Sequence, residues 1–339
     1  MKNNRSLIVQ LVPFGLVSLI LLAFVSVIGA SIGVPFTIWY DDCGLLLLIV
    51  GSILLFYGVS WDVIIIATWL LSRTLSKFRS DHKYTPLKTL WKDIGFFGVG
   101  IVPVLIIVFT SYVILETSNI TIISLKLSGS LISWKDPFLW SIEKEVFYIL
   151  ANLRPNPFFW DILYNSAWTI ELFAMFLLIL LSRNHLIVLK FCLSFILLFY
   201  IGRLLGLLNP VKGPAFYQPD LFSYLEGTFS LKAMLEIIPI MGADPLSLKS
   251  GVLVGGVSAM PSLHIGMVSV TSYWLSANVK LLRFITPFWV ILVWISTVLL
   301  GWHYILDGLG GIILALICIL LTKALFRSFE GIRENEQRS

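Results

Sequence analysis

The chain holds four histidines in 339 residues, and two of them stand where long apolar runs end. An ionisable side chain at membrane depth is costly, which makes such a residue a functional candidate by default. His264 closes Ser258-Ala-Met-Pro-Ser-Leu-His264. A proline followed by a small polar residue at the head of an apolar run marks a helix N-terminus. That end presents unpaired N–H groups and a positive dipole, both of which favour an anion such as phosphate. The segment therefore offers an anion cradle with an imidazole one turn inside it. The plain alternative is a capped helix whose histidine bonds a backbone carbonyl. His303 lies in Gly301-Trp-His303-Tyr-Ile-Leu-Asp307, four residues before a carboxylate. On a helix that spacing puts both on one face. A carboxylate accepting one ring N–H fixes the tautomer and makes the other nitrogen a better base or nucleophile. The alternative there is a pair that only locks two helices together. Arg203, within Arg203-Leu-Leu-Gly-Leu-Leu-Asn209-Pro210-Val-Lys212, is the one basic residue well inside a predicted span. Its planar fork suits phosphate oxygens, and Lys212 adds a point charge. An arginine snorkelling to the interface is the competing account.

Phosphoryl transfer asks for such parts: cationic clamps, an acid for the leaving group and a positioned nucleophile. The sequence contains no Walker loop, kinase motif or dinucleotide fingerprint, and no carboxylate cluster for a metal pair. No metal and no organic cofactor is implied, and no nucleic-acid partner. His82 and His185 sit in basic segments and are expected to be solvated.

The elements that must position these residues follow from composition. The chain is 58% hydrophobic and only 13% charged, with mean hydropathy +0.93. Soluble domains average about 45–50% apolar and about 25% charged, so a water-soluble domain, a disordered tail and a disulfide scaffold are excluded. The cysteines at 43, 192 and 318 share no metal spacing. A spanning helix needs about 20 apolar residues, and eight runs qualify: Leu7–Ala30, Gly44–Leu71, Ile94–Leu115, Tyr164–Leu181, Phe191–Leu208, Pro261–Val279, Phe284–Gly301 and Tyr304–Leu321. With the N-terminus inside, 16 of the 24 Lys and Arg residues fall in inner segments. That satisfies the positive-inside rule, places both termini in the cytoplasm, and brings His264, His303 and the Arg203 helix end to the outer face. Two outer loops, 116–163 and 209–260, are too long for tight turns. In the first, Trp140, Val146, Phe147 and Leu150 form one helical face with Glu143, Lys144 and Glu145 away from it, as in a helix lying in the interface.

Together these motifs resemble the type 2 phosphatidic acid phosphatase superfamily of membrane lipid phosphatases and phosphotransferases. Ala259-Met-Pro-Ser-Leu-His264, and Asp136-Pro with Ile142-Glu143 and Phe147, are similar to its inositol-phosphorylceramide synthase (aureobasidin-resistance) branch. The likeness covers roughly residues 130–323. It implies that His303 attacks phosphorus to form a phosphohistidine, oriented by Asp307, while His264 protonates the departing oxygen and later activates the acceptor. It implies further that Arg203 and Lys212 bind phosphate, and that Ser262 with nearby N–H groups lines the anion site. Two positions depart from the phosphatase pattern. The third motif reads Ser296-Thr297 instead of Ser-Arg, and Arg203 is followed by five residues and then Asn209-Pro210 instead of lying in the Lys-x6-Arg-Pro arrangement. Sphingolipid head-group transferases share the missing Ser-Arg, which favours transfer over hydrolysis.

The expectation is an all-α integral membrane protein of about eight spans. A three-helix N-terminal bundle covers residues 1–116, a catalytic membrane domain 117–323 and a cytoplasmic tail 324–339. The expected reaction moves a phosphate-bearing head group from a phospholipid or polyprenyl-phosphate donor to a lipid or alcohol acceptor. The site faces the periplasm of a bacterial inner membrane or the lumen of a eukaryotic secretory membrane. A lipid phosphate phosphatase using water is the alternative. A transporter, prompted by Asp62 and Glu171 inside predicted spans, and a catalytically dead member, prompted by Thr297, stand further off.

Overall fold

The computed structural model describes residues 2–37, 55, 58–60, 62–74, 118–182, 185–242 and 259–338. Among these, the only extended pairing is an isolated bridge between Ser128 and Ile132, and the rest of the regular structure is helical. In chain order the α-helices are α1 (Lys2–Ser31), α2 (Asp136–Leu153), α3 (Pro157–Ser182), α4 (His185–Leu208), α5 (Pro214–Tyr217), α6 (Phe229–Gly242), α7 (Leu263–Asn278), α8 (Thr286–Leu299) and α9 (Ile305–Arg338). Residues 62–74 and 118–127 are helical as well.

Six of the predicted apolar runs correspond to α1, α3, α4, α7, α8 and α9. Of the Gly44–Leu71 run only positions 55, 58–60 and 62–71 are described, all helical. The Ile94–Leu115 run, Cys43, His82 and Ser258 lie outside the described residues. Among the described residues, two helices are long and apolar enough to cross a membrane, Leu189–Leu208 of α4 and Ile305–Arg327 of α9. α7 has 16 residues and α8 has 14, short of the roughly 20 that a straight span requires, because Pro261-Ser262 and Gly301 break the apolar runs at their ends. Outward faces are nonetheless greasy: Phe288 is 74% exposed, Leu320 62% and Leu316 54%. Large apolar side chains exposed in this way fit contact with lipid tails. α9 continues without a break through residue 323 to Arg338.

α7 is the central helix, packed against α3, α4, α8 and α9. Its sequence is apolar or small on every face, and residues Ile265 to Val268 are buried consecutively, as is Val270 to Ser272. A helix that is apolar all round belongs in a core. The α7–α9 contact is close because Gly311 faces Ser262: a Cβ on Gly311 would sit 2.4 Å from the Ser262 carbonyl oxygen. Small residues at such crossings are how apolar helices approach without a hydrophobic driving force between them.

The described parts of the two long loops, 118–163 and 209–242, form a cap over one set of helix ends. α2, α5 and the 3-10 turn Pro219–Leu225 share one apolar cluster that includes Leu139, Trp140, Phe147, Val211, Phe222 and Tyr304. The expected helix over the 136–150 segment is present, but its faces differ from the predicted ones. Glu143 points inward with Leu139, Trp140 and Phe147, and Val146 is 37% exposed. Hydrophobic patterning assigns a carboxylate to the surface. Here the carboxylate is buried because two backbone N–H groups receive it, as described next.

Candidate active site

Three loop segments are laced together at one end of the helices. The Ala259 N–H donates to the Val211 carbonyl (2.7 Å), the Ala215 N–H to the Gly301 carbonyl (3.0 Å), and the Ser262 N–H to the Asp307 carbonyl (2.9 Å). Gly213 makes one of these approaches possible. Its φ is +108°, and a Cβ there would lie 2.5 Å from the Trp302 carbonyl oxygen. This lacing brings the Arg203–Lys212, Ser262–His264 and His303–Asp307 motifs to one end of the molecule.

Ser262 is the N-cap of α7: its hydroxyl accepts from the Ile265 N–H at 3.3 Å. That is the preferred cap chemistry, and it leaves the hydroxyl proton free to donate. His264 follows in the first turn. Its Nε2 is buried with no hydrogen-bond partner among the described residues. The turn between α8 and α9 is tied by Trp302 and His303 N–H groups, both donating to the Thr297 carbonyl. Thr297 itself is fully buried, with its hydroxyl donated to the Trp294 carbonyl at 2.7 Å. It presents no cation where the phosphatase pattern has arginine.

His303 Nδ1 lies 3.6 Å from Asp307 Oδ2, and Asp307 is fully buried. The separation is longer than a hydrogen bond, as catalytic contacts often are before substrate closes the site. The same Asp307 oxygen accepts the Tyr304 N–H at 2.8 Å, while Oδ1 has no partner among the described residues. His303 Nδ1 and the Tyr304 N–H thus face the same carboxylate oxygen, and only the backbone N–H is within hydrogen-bond distance of it.

Arg203 lines a small cleft with Thr121, Ser124, Pro261 and Leu263, the last two being the residues on either side of Ser262. The Lys212 ammonium sits 4.7 Å from the centroid of the Trp134 ring, and the Lys212 backbone N–H goes to Asp136. Asp136 and Glu143, one buried face of α2, hold the site from above. Asp136 accepts the N–H groups of Lys212 (2.9 Å) and Gly213 (3.0 Å) and the Tyr304 hydroxyl (3.4 Å). Glu143 accepts the N–H groups of Ile305 (2.6 Å) and Leu306 (3.0 Å). Burial pushes both carboxyls above the ordinary carboxylate range, against the backbone N–H groups that favour the charged form and with a small further push from Asp307.

Tyr164 carries no motif and goes unnoticed in the sequence, where it reads only as the head of an apolar run. In the structure its ring stacks on His264 (centroids 4.4 Å apart, planes 22°) and on Trp302 (5.8 Å, 17°). It thus bridges the two histidine segments. Glu171, one of the two carboxylates that prompted a transporter reading, accepts the Trp289 indole N–H at 2.8 Å across α3 and α8. That bond gives it a structural partner.

A family model described as PAP2 superfamily matches residues 143–321, beginning at Glu143 and running past both histidine motifs into α9. No curated protein and no solved structure matches the chain.

Proposed function

Because the chain belongs to the PAP2 superfamily, whose members are phosphatases and phosphotransferases of phosphorylated lipids, we propose that it is a membrane phosphotransferase that moves a phosphate-bearing head group between lipids through a phosphohistidine. The observation that carries this reading is the meeting of a paired His303–Asp307 with a second, buried imidazole at the capped N-terminus of α7. Neither motif alone distinguishes a site from a helix lock, but Tyr164 stacked on both segments joins them.

In this mechanism Asp307 holds the His303 Nδ1 proton, which leaves Nε2 free to attack phosphorus. The N–P bond forms as the P–O bond to the departing lipid alcohol breaks. His264 delivers a proton to that oxygen. In the second half, His264 takes a proton from the acceptor hydroxyl, whose oxygen displaces His303 and completes the transfer. Arg203, the Ser262 hydroxyl and the N–H groups of the first turn of α7 hold the phosphoryl oxygens, with Lys212 adding charge at the rim. Such preorganised donors and cations are the largest contribution in most phosphoryl-transfer sites. The eight-span arrangement, cytoplasmic termini and an outward-facing site are part of the same proposal, supported by the basic residues at the inner ends and the apolar exteriors of α8 and α9.

The test uses purified protein in lipid–detergent micelles. Phosphatidylinositol, phosphatidic acid or a polyprenyl phosphate serves as donor, with and without a ceramide or diacylglycerol acceptor. A new phospholipid that requires the acceptor and disappears in His303→Ala establishes the transferase. Phosphate release that ignores the acceptor, yet is lost in the variant, makes water the acceptor and the protein a phosphatase. Activity that survives His303→Ala overturns the phosphohistidine scheme.

A further inference from the structure

The N-terminus of α9 has an unusual cap, and its consequence reaches the catalytic pair. A helix begins with backbone N–H groups that have no partner inside it. The residue in the N-cap position is Tyr304, which has no short side-chain acceptor to offer; its hydroxyl goes instead to Asp136. One local acceptor remains, Asp307 in the third helical position. It already takes the Tyr304 N–H in half of a capping box. Two further donors, the N–H groups of Ile305 and Leu306, are met by the two oxygens of Glu143, reaching in from α2. Glu143 is itself only 5% exposed, so water has little access to replace it.

We infer that Glu143 is a positioning residue: by capping Ile305 and Leu306 it leaves Asp307 available to His303. This rests on the reading of His303 and Asp307 given above. Without Glu143, two buried donors within two residues of Asp307 lack an acceptor, and the carboxylate beside them with an unpartnered oxygen is Asp307. An unsatisfied buried donor is costly enough to draw a neighbouring carboxylate onto it. Asp307 would then serve as the helix cap and release the histidine. The two acids divide the labour, one for the backbone and one for the imidazole.

The variant that tests this is Glu143→Gln. The amide keeps one acceptor oxygen and nearly the same volume, and it removes a buried charge that burial disfavours, so the fold and its thermal midpoint are expected to hold. kcat should fall about 10- to 100-fold, as is usual when an orienting partner outside the reacting groups is lost, with KM nearly unchanged. The second variant, Glu143→Gln with Ile305→Pro, removes the N–H that Glu143 Oε2 accepts. Proline is well tolerated in the first helical position. Most of the lost kcat should return.

A spectroscopic readout independent of turnover accompanies both. With four histidines in the chain, 15N-histidine labelling gives a simple spectrum. A ring N–H shared with a carboxylate is displaced far downfield, and His303→Ala and Asp307→Asn identify the signal. It should vanish in Glu143→Gln and reappear in the double variant. If the lipid assays fail but this pattern holds, the function is wrong and the positioning is right. A wild-type spectrum without the His303–Asp307 signal, a Glu143→Gln protein that keeps both signal and kcat, or a double variant that recovers neither, overturns the inference.

Discussion

The two histidines stand by the N-termini of two helices, and those termini are built in opposite ways. α7 is capped from its own sequence by the Ser262 hydroxyl, a neutral group. α9 is capped by carboxylates, Asp307 from its own first turn and Glu143 from α2, more than 160 residues away in sequence. A helix start is worth roughly half a positive charge. At α7 the cap is a neutral hydroxyl and Arg203 lines the adjoining cleft, whereas at α9 two carboxyls accept the first N–H groups. One terminus is therefore suited to an anion and the other to holding a base. Two similar-looking sequence features, each a histidine near a helix start, have separate electrostatic roles once their caps are known.

If the phosphoryl group docks at α7, the cation beside that turn matters most. Arg203→Gln should lower kcat/KM by roughly 100-fold or more, the scale of losing one preorganised charge partner, chiefly through kcat. The same variant should abolish the rise in thermal midpoint that inorganic phosphate gives the wild type. Equal phosphate stabilisation in both proteins would place the anion elsewhere and remove the distinction between the two termini.

A smaller effect sharpens the link between them. Tyr164 lies between His264 and Trp302, so Tyr164→Phe retains the stacked ring and Tyr164→Leu removes it. A stacked aromatic pair contributes about 0.5–1.5 kcal/mol beyond its buried area, equivalent to roughly a 2- to 12-fold change. Turnover should be near wild type in the phenylalanine variant and lower by that factor in the leucine variant. Equal losses in both would assign the role to the hydroxyl.

What sequence could show depended on whether the physics was local. Pro261-Ser262 announced the start of α7 because an N-cap acts on its own next turn, and the structure has Ser262 in that position. His303 and Asp307 were paired from spacing alone, and they face each other at 3.6 Å. All six described apolar runs are helices. The misassignments are long-range. Glu143 looked like a surface charge because its partners, Ile305 and Leu306, lie in another helix. Trp134 lies beneath the Lys212 ammonium, and nothing near Lys212 in sequence announces that partner. Tyr164 was one aromatic among many, and only the packing of α3 against α7 makes it a neighbour of His264.

The unequal use of acids at the two termini also has a signature in stability, the smallest of the expected effects. Glu143, from the cap over the α9 end, has its proton held by burial above its ordinary value of 4.5, and Asp136 is likewise held above 3.8. A carboxyl whose folded value is raised binds more protons in the native than in the unfolded chain across the window just above the ordinary values. Stability therefore falls as pH rises through that window and levels off once both states are ionised. The thermal midpoint of the wild type should decline from about pH 4 through mildly acidic pH. Glu143→Gln, with no proton to lose there, should decline less, leaving the share due to Asp136 and the other buried carboxyls. Ser262→Ala, which removes the α7 cap without touching a titrating group, should lower the midpoint by the same amount at every pH, on the order of 1 kcal/mol of stability. A Glu143→Gln profile parallel to the wild type would mean that its carboxylate is ionised in the fold as readily as in the open chain. The backbone donors of Ile305 and Leu306 would then compensate its burial in full.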